Sequence, residues 1–238
     1  IEDNDAERYG EPTLHSEHGV PVALNVGDLL IGEGYRLLAE MQCASHIRSA
    51  CIKVAAEGQR ELCRGQGAEL LWNNHPVALS GTQVLEIFRS KTAPAFEVAL
   101  KVGAAMAGQL EETADVLHTY SENLGIAYQI RDDLDDLGDD SAADNNVSIR
   151  PSIILALLRE HGKDQVKEVM EALWNGQATT LPDKPTIRQW AEQTGAYEKS
   201  NVLLESYKEA AIRALSDVEM PNLKGLLRRV IGKIFNEL

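Results

Sequence analysis

Apolar residues recur every three to four positions along most of the chain. In "VPVALNVGDLLIGEGYRLLAEM", residues 20–41, Val22, Val26, Leu29, Leu30, Leu37 and Leu38 fall at helical spacing. The same period continues through 46–72, 82–108, 112–137, 151–160, 163–174, 186–194, 197–215 and 222–236. The intervals "NNHP", "SG", "GDDSAADNN", "LPDKP" and "EMPN" carry ordinary turn chemistry. There is no short-period repeat and no convincing strand alternation. The pattern predicts an all-α chain, with many helices around one core and a single domain over 1–238. Residues 1–19 are polar, carry Gly10, Pro12 and Gly19, and read as the end of one element followed by a loop.

One interval interrupts this regularity. In "SKTAPAF", Pro94 lies inside the apolar pattern of 84–105. A proline there leaves the carbonyl one turn back without its donor and kinks the helix. Lys91 and Thr92 lie within that turn. On this stretch alone, a tolerated kink beside a solvated lysine explains what is seen.

Composition narrows the class. Hydrophobic residues make up 44% and aromatics only 5%, a mix suited to packed helices. The formal charge of -14 argues against nucleic acid or anionic lipid as a partner. It leaves phosphorylated small molecules open, because a metal ion reverses the sign of a site locally. Cys43, Cys51 and Cys63 lack CxxC spacing and read as reduced thiols of a cytoplasmic protein. No apolar run approaches the ~20 residues of a membrane span.

The strongest chemical signal is "RDDLDDLGDD", residues 131–140, six of whose ten residues are aspartate. In a helix Asp132 and Asp136 share a face, with Asp133 beside them and Gln129 one turn before. Like charges at that spacing repel, and the negative end of the helix dipole adds to the repulsion. The alternative is a solvated acidic helix end. Against it, Leu124, Ile126, Tyr128, Ile130, Leu134 and Leu137 mark a helix packed on much of its circumference. Costly charge on a packed helix implies a compensating cation. Carboxylates without nearby Cys or His suit a hard ion such as Mg²⁺, whose shell is shared with phosphate oxygens.

Several stretches together resemble the trans-isoprenyl diphosphate synthases, the polyprenyl, farnesyl and geranylgeranyl diphosphate synthases. "YQIRDDLDD" looks like their second aspartate-rich motif, and "IEDNDAERYGEPTLH" resembles the tail of the first, a DDxxD, with the arginines after it. "GVPVALNVGDLL", "CRGQGAELLW", "RSKTAPAFEVALKVGAAMAG" and "GAYEKSNVLLESYKEAAIRAL" follow in the family's order. The resemblance implies an isoprenoid synthase-type bundle around a deep central cavity, and usually a homodimer. It implies an enzyme that ionises an allylic prenyl diphosphate and lets the alkene of isopentenyl diphosphate attack the cation. Mg²⁺, three ions in the family, neutralises the departing pyrophosphate.

Carried over by position, the resemblance makes Asp3, Asp132, Asp133 and Asp136 Mg²⁺ ligands. It gives Arg8 and Lys91 to the allylic diphosphate, and Thr92 and Gln129 to the neighbourhood of the cation. Pro94 would then turn Lys91 inward. Gln66 and Glu69 correspond to a GQxxD-like block, where lining the site and a purely structural role are equally open.

Three departures qualify this. The first motif would read DDIED, whereas the sequence begins at its Ile1, so a longer parent with further helices is expected. Tyr9 stands where the family has the second arginine, associated with isopentenyl diphosphate, and a phenol cannot replace a guanidinium fork. Asn146 stands where a lysine is usual, with Arg150 nearby as a substitute. Prenyl chain elongation ranks first. A terpene cyclase-like ionisation without isopentenyl diphosphate and a non-catalytic subunit of a heteromeric synthase follow.

Overall fold

The structure, a computed structural model, describes residues 1–2, 5–138, 149–175, 177–178 and 180–235. A small hairpin, β1 (Glu7–Arg8) and β2 (Glu11–Pro12), precedes ten helices among these residues. They are α1 (Leu14–His18), α2 (Val20–Glu40), α3 (Ser45–Asn74), α4 (Gly81–Met106), α5 (Leu110–Gly138), α6 (Ile153–His161), α7 (Asp164–Trp174), α8 (Lys184–Thr194), α9 (Ala196–Ala214) and α10 (Pro221–Ile234). Helices α2 to α10 reproduce the nine periodic segments of the sequence within a few residues. Residues 7–18 differ from the expected loop, since they form the hairpin and the short α1. Two-residue strands are too short to show an alternation. The turn is instead marked by positive φ at Tyr9 (55°) and Gly10 (79°), the backbone of a tight primed hairpin.

Helix α5 is the axis of the bundle. Leu117, Tyr120, Leu124, Ile126, Ala127, Ile130, Leu134 and Leu137 are all buried along it. The burial covers more than one face, as expected of a helix with neighbours on several sides. Helices α4, α6, α8 and α9 all pack on it. The Tyr120 hydroxyl donates to the Leu227 carbonyl at 2.9 Å, which ties α10 to this axis. Helix α6, from the run "SIILALL", buries all of Ile153 to Leu158.

Helix α4 begins with a capping box, in which Ser80 accepts from the Gln83 amide and Gln83 reaches back to Ser80. It continues through Pro94. The backbone before the proline is gripped from two sides. A Cβ on Gly65 of α3 would stand 2.4 Å from the Ser90 carbonyl carbon, and one on Gly125 of α5 would stand 2.6 Å from Ala93 Cα. Only glycine permits such close approaches. The segment that carries Lys91 and Thr92 is thereby held between two neighbouring helices.

Helix α2 stands apart. None of its 21 residues is buried, and Val22, Leu24, Leu29, Leu30, Ile31 and Leu37 are exposed. The helical period is there as expected, but its apolar stripe faces out.

Candidate functional site

A cavity of about 670 Å³ opens where the ends of α5 and α3, the start of α6 and the N-terminal segment converge. Its acidic wall holds Asp132, Asp133 and Asp136 from α5, Glu69 from α3, and Glu2 and Asp5. Arg8, Arg150 and Lys184 supply the positive charge. The carboxylate excess makes this a site for a cation, or for an anion that arrives with one.

The helix places the aspartates as their spacing requires, with Asp132 and Asp136 one turn apart. Burial pushes the Asp132 carboxyl up from its ordinary value, and the neighbouring Asp136 charge adds to that. Burial pushes Asp133 up further, to about 6, against the pull of Arg150 and of hydrogen bonds from Ile153 and Ser152. Both carboxyls would gain from more positive charge than the protein provides.

Asp133 is the most enclosed of the three, its side chain only 4% exposed. One oxygen accepts from the Ile153 amide at 2.7 Å and the other from Arg150 Nη2 at 3.1 Å. The Ile153 amide is one of the free donors at the start of α6, so Asp133 caps that helix. The same Nη2 atom of Arg150 is also paired with Asp136. A single guanidinium thus bridges the two carboxylates.

Behind the Glu69 wall, Lys91 Nζ lies 2.7 Å from Glu69 Oε2, with both side chains largely buried. The Glu69 oxygen has no donor at hydrogen-bonding angle, so the attraction is between charges rather than through a directed bond. Lys91 also acts electrostatically on Asp132 and Asp133. It is paired and largely buried, unlike the solvated lysine that the proline stretch read alone suggests. Gln66 donates to Glu2 at 2.6 Å and ties α3 to the N-terminal segment.

The structure therefore brings Arg8, Asp132, Asp133 and Asp136 to one cavity and sets Lys91 behind Glu69 at its edge. Thr92 and Gln129 are half-buried on α4 and α5 and are not among the cavity's wall residues. Asp3, Asp139, Asp140 and Asn146 lie outside the described residues. Tyr9 is 93% exposed at the hairpin turn, with the Arg8 guanidinium 5.3 Å from its ring, and does not line the cavity. The sequence reading missed Lys184, a wall residue at the first position of α8. Its "LPDKP" context reads as a turn and nothing more.

A Mg²⁺ ion fits this donor set. The groups are oxygens, they are short of positive charge, and they already hold one organic cation. Among the described residues no three acidic or histidine side chains converge as a finished metal cage. A hard ion here would complete its shell with water and with the oxygens of a bound diphosphate.

The family described as "Polyprenyl synthetase" matches residues 1–181. Among curated proteins, the chain is 29% identical over 182 residues to the short chain isoprenyl diphosphate synthase of Methanocaldococcus jannaschii, covering 74% of this chain and 55% of that protein. It is 26% identical over 229 residues to the geranylgeranyl diphosphate synthase of Sulfolobus acidocaldarius, covering 92% of this chain and 68% of that one. This chain thus spans little more than half the length of the first relative. Among solved structures, a geranylgeranyl pyrophosphate synthase from Corynebacterium glutamicum, complexed with isoprenyl diphosphate and magnesium, superposes with a TM-score of 0.84 at 24% identity. The match covers 99% of this chain and 73% of that one.

Proposed function

This chain belongs to the polyprenyl synthetase family, and from that premise we propose that it acts in Mg²⁺-dependent prenyl chain elongation. The reaction is condensation of isopentenyl diphosphate with an allylic prenyl diphosphate to a longer trans-polyprenyl diphosphate. The observation that carries the reading is the cavity wall, where Asp132, Asp133 and Asp136 face Arg8 and Arg150 in a surplus of negative charge.

In this reading Mg²⁺, three ions as in the family, supplies charge neutralisation for the pyrophosphate leaving group. Asp132, Asp133 and Asp136 would present carboxylate oxygens to it, with Asp3 of the N-terminal segment. Asp133 holds the end of α5 against the start of α6, so that the neighbouring aspartates keep their direction. Arg8 binds the allylic diphosphate from the hairpin. Lys91, released from Glu69, reaches the same diphosphate. Thr92 and Gln129 offer hydroxyl and carbonyl dipoles to positive charge as it develops on the allyl group. Homodimerisation belongs to the same proposal.

Tyr9 favours a second reading. The exposed phenol leaves the isopentenyl diphosphate site without the family's second arginine. An enzyme that ionises a prenyl diphosphate and quenches the cation within itself, as a terpene cyclase does, would not need it.

One assay separates the two. The protein is incubated with Mg²⁺ and farnesyl diphosphate, with and without isopentenyl diphosphate, and the products are identified by mass spectrometry. Longer diphosphates that require isopentenyl diphosphate are expected. Pyrophosphate with a hydrocarbon or alcohol in its absence would establish the cyclase reading. No turnover in either tube would sink both.

A further inference from the structure

Arg150 occupies an unusual position for a cation in a binding site. Its Nη2 atom is held between Asp133 and Asp136, two carboxylates of the metal-facing motif. Its backbone lies just ahead of α6, whose first residue, Ile153, donates its amide to the other oxygen of Asp133. Arg150 lines the cavity and its side chain is 31% exposed, so it is enclosed enough to pair strongly and open enough to leave.

We propose that Arg150 is an exchangeable internal counter-cation, bridging Asp133 and Asp136 in the metal-free protein and moving to the diphosphate when Mg²⁺ takes its place. The inference rests on the elongation reading only in taking a diphosphate with Mg²⁺ as the cavity's ligand. Its physical basis is competition. A divalent ion alone must displace the guanidinium from its two paired carboxylates and leave it only the weaker pull of Asp132 and Glu69 in a half-enclosed site. A metal arriving with a diphosphate brings the guanidinium a new partner, and a guanidinium fork suits phosphate oxygens as well as carboxylate ones. Binding of metal and of diphosphate therefore becomes coupled through one side chain. Each strengthens the other because both favour the state in which Arg150 has moved.

Two facts support movement over a fixed structural bridge. Asp133 keeps the Ile153 amide bond without Arg150, so the start of α6 remains capped after the exchange. Asp136 is 59% exposed, so its partner can be replaced from the solvent side of the cavity.

The test is calorimetric and needs no turnover. The whole protein is titrated with MgCl₂ alone, with inorganic pyrophosphate alone, and with Mg²⁺ in the presence of pyrophosphate. For Arg150→Gln we expect Mg²⁺ alone to bind about tenfold more tightly than to the unsubstituted protein, and the gain in Mg²⁺ affinity caused by pyrophosphate to shrink by a similar factor. Opposite changes in the two titrations distinguish exchange from a structural role, which would weaken both. Should Arg150→Gln fail to fold, Arg150→Lys gives the same comparison, because a point charge bridges two carboxylates less well. Its expected changes are smaller and in the same directions. Unchanged affinities, or a loss in both titrations, would overturn the exchange. If the unsubstituted protein itself shows no Mg²⁺-dependent pyrophosphate binding, the elongation reading fails and the exchange with it. If it binds and the variants match it, only the exchange fails.

Discussion

Lys91 Nζ sits 2.7 Å from the Glu69 carboxylate, in a pair that is largely withdrawn from water. Removing one partner of such a pair leaves the other buried and uncompensated. Lys91→Met should therefore destabilise the protein by about 3 kcal/mol, and adding Glu69→Gln should restore most of that loss. The double variant should still fail to turn over if Lys91 holds the diphosphate. Thermal melts and steady-state rates on the two proteins check this. Recovery of both stability and rate would show that Lys91 serves the fold alone.

Asp132 behaves differently, because its exposed carboxylate is pushed up by partial desolvation and by the neighbouring Asp136 charge. Asp132→Asn removes that repulsion. The fold should be unaffected or slightly stabilised, while turnover should fall by roughly two orders of magnitude or more, the scale on which one lost electrostatic contact to a transition state is felt. Melting temperature and kcat on the same preparation test both halves. Unchanged turnover would remove Asp132 from the metal site.

Asp133→Asn should cost stability as well as turnover. Its carboxylate accepts from Arg150 and from the start of α6, and an amide can accept with only one of its ends. A loss of about 3 kcal/mol in stability is expected, as for other broken buried pairs. Denaturant unfolding measures it directly.

Gly125→Ala tests the grip on α4. Alanine is the better helix former by about 1 kcal/mol. Its methyl group would fall 2.6 Å from Ala93 Cα, on backbone that cannot step aside. Overpacking of this kind costs about 2 kcal/mol, so the clash should win and the variant should melt lower. Gly103→Ala on α4, with nothing within 4 Å of the added methyl, is the control and should be neutral or stabilising.

Tyr9→Arg addresses the acceptor. An arginine beside Arg8 should lower the KM for isopentenyl diphosphate with little change in kcat, whereas Tyr9→Phe should leave both alone. Steady-state kinetics at saturating allylic substrate decide it. An unchanged KM with arginine would mean that the acceptor is bound elsewhere.

Helices α2 to α10 were legible because each is longer than two turns and carries its own period, which the five-residue α1 does not. The hairpin was not, since two-residue strands have no alternation to read and the turn rests on backbone angles that Tyr9 does not advertise. The aspartates could be placed on one face from spacing alone. That Asp133 points at the start of α6 and not freely into the cavity depends on where α6 packs, which no local pattern encodes. Lys184 reached the wall for the same reason. Arg150 stands in the sequence as a substitute for the usual lysine, while its bridge to Asp133 and Asp136 is a tertiary fact. The helical period of α2 was plain, yet period says nothing about what, if anything, covers the stripe.

That uncovered stripe has a consequence for how the protein behaves in a tube. A formal charge of -14 keeps molecules apart at low ionic strength. Salt screens the repulsion within about 10 Å at 0.1 M, while the exposed leucines and isoleucine of α2 remain as attractive as before. Colloidal stability of this chain is thus set by a balance that ionic strength tips. Sulfate, which also strengthens apolar association, should bring it out of solution sooner than its acidity alone would indicate.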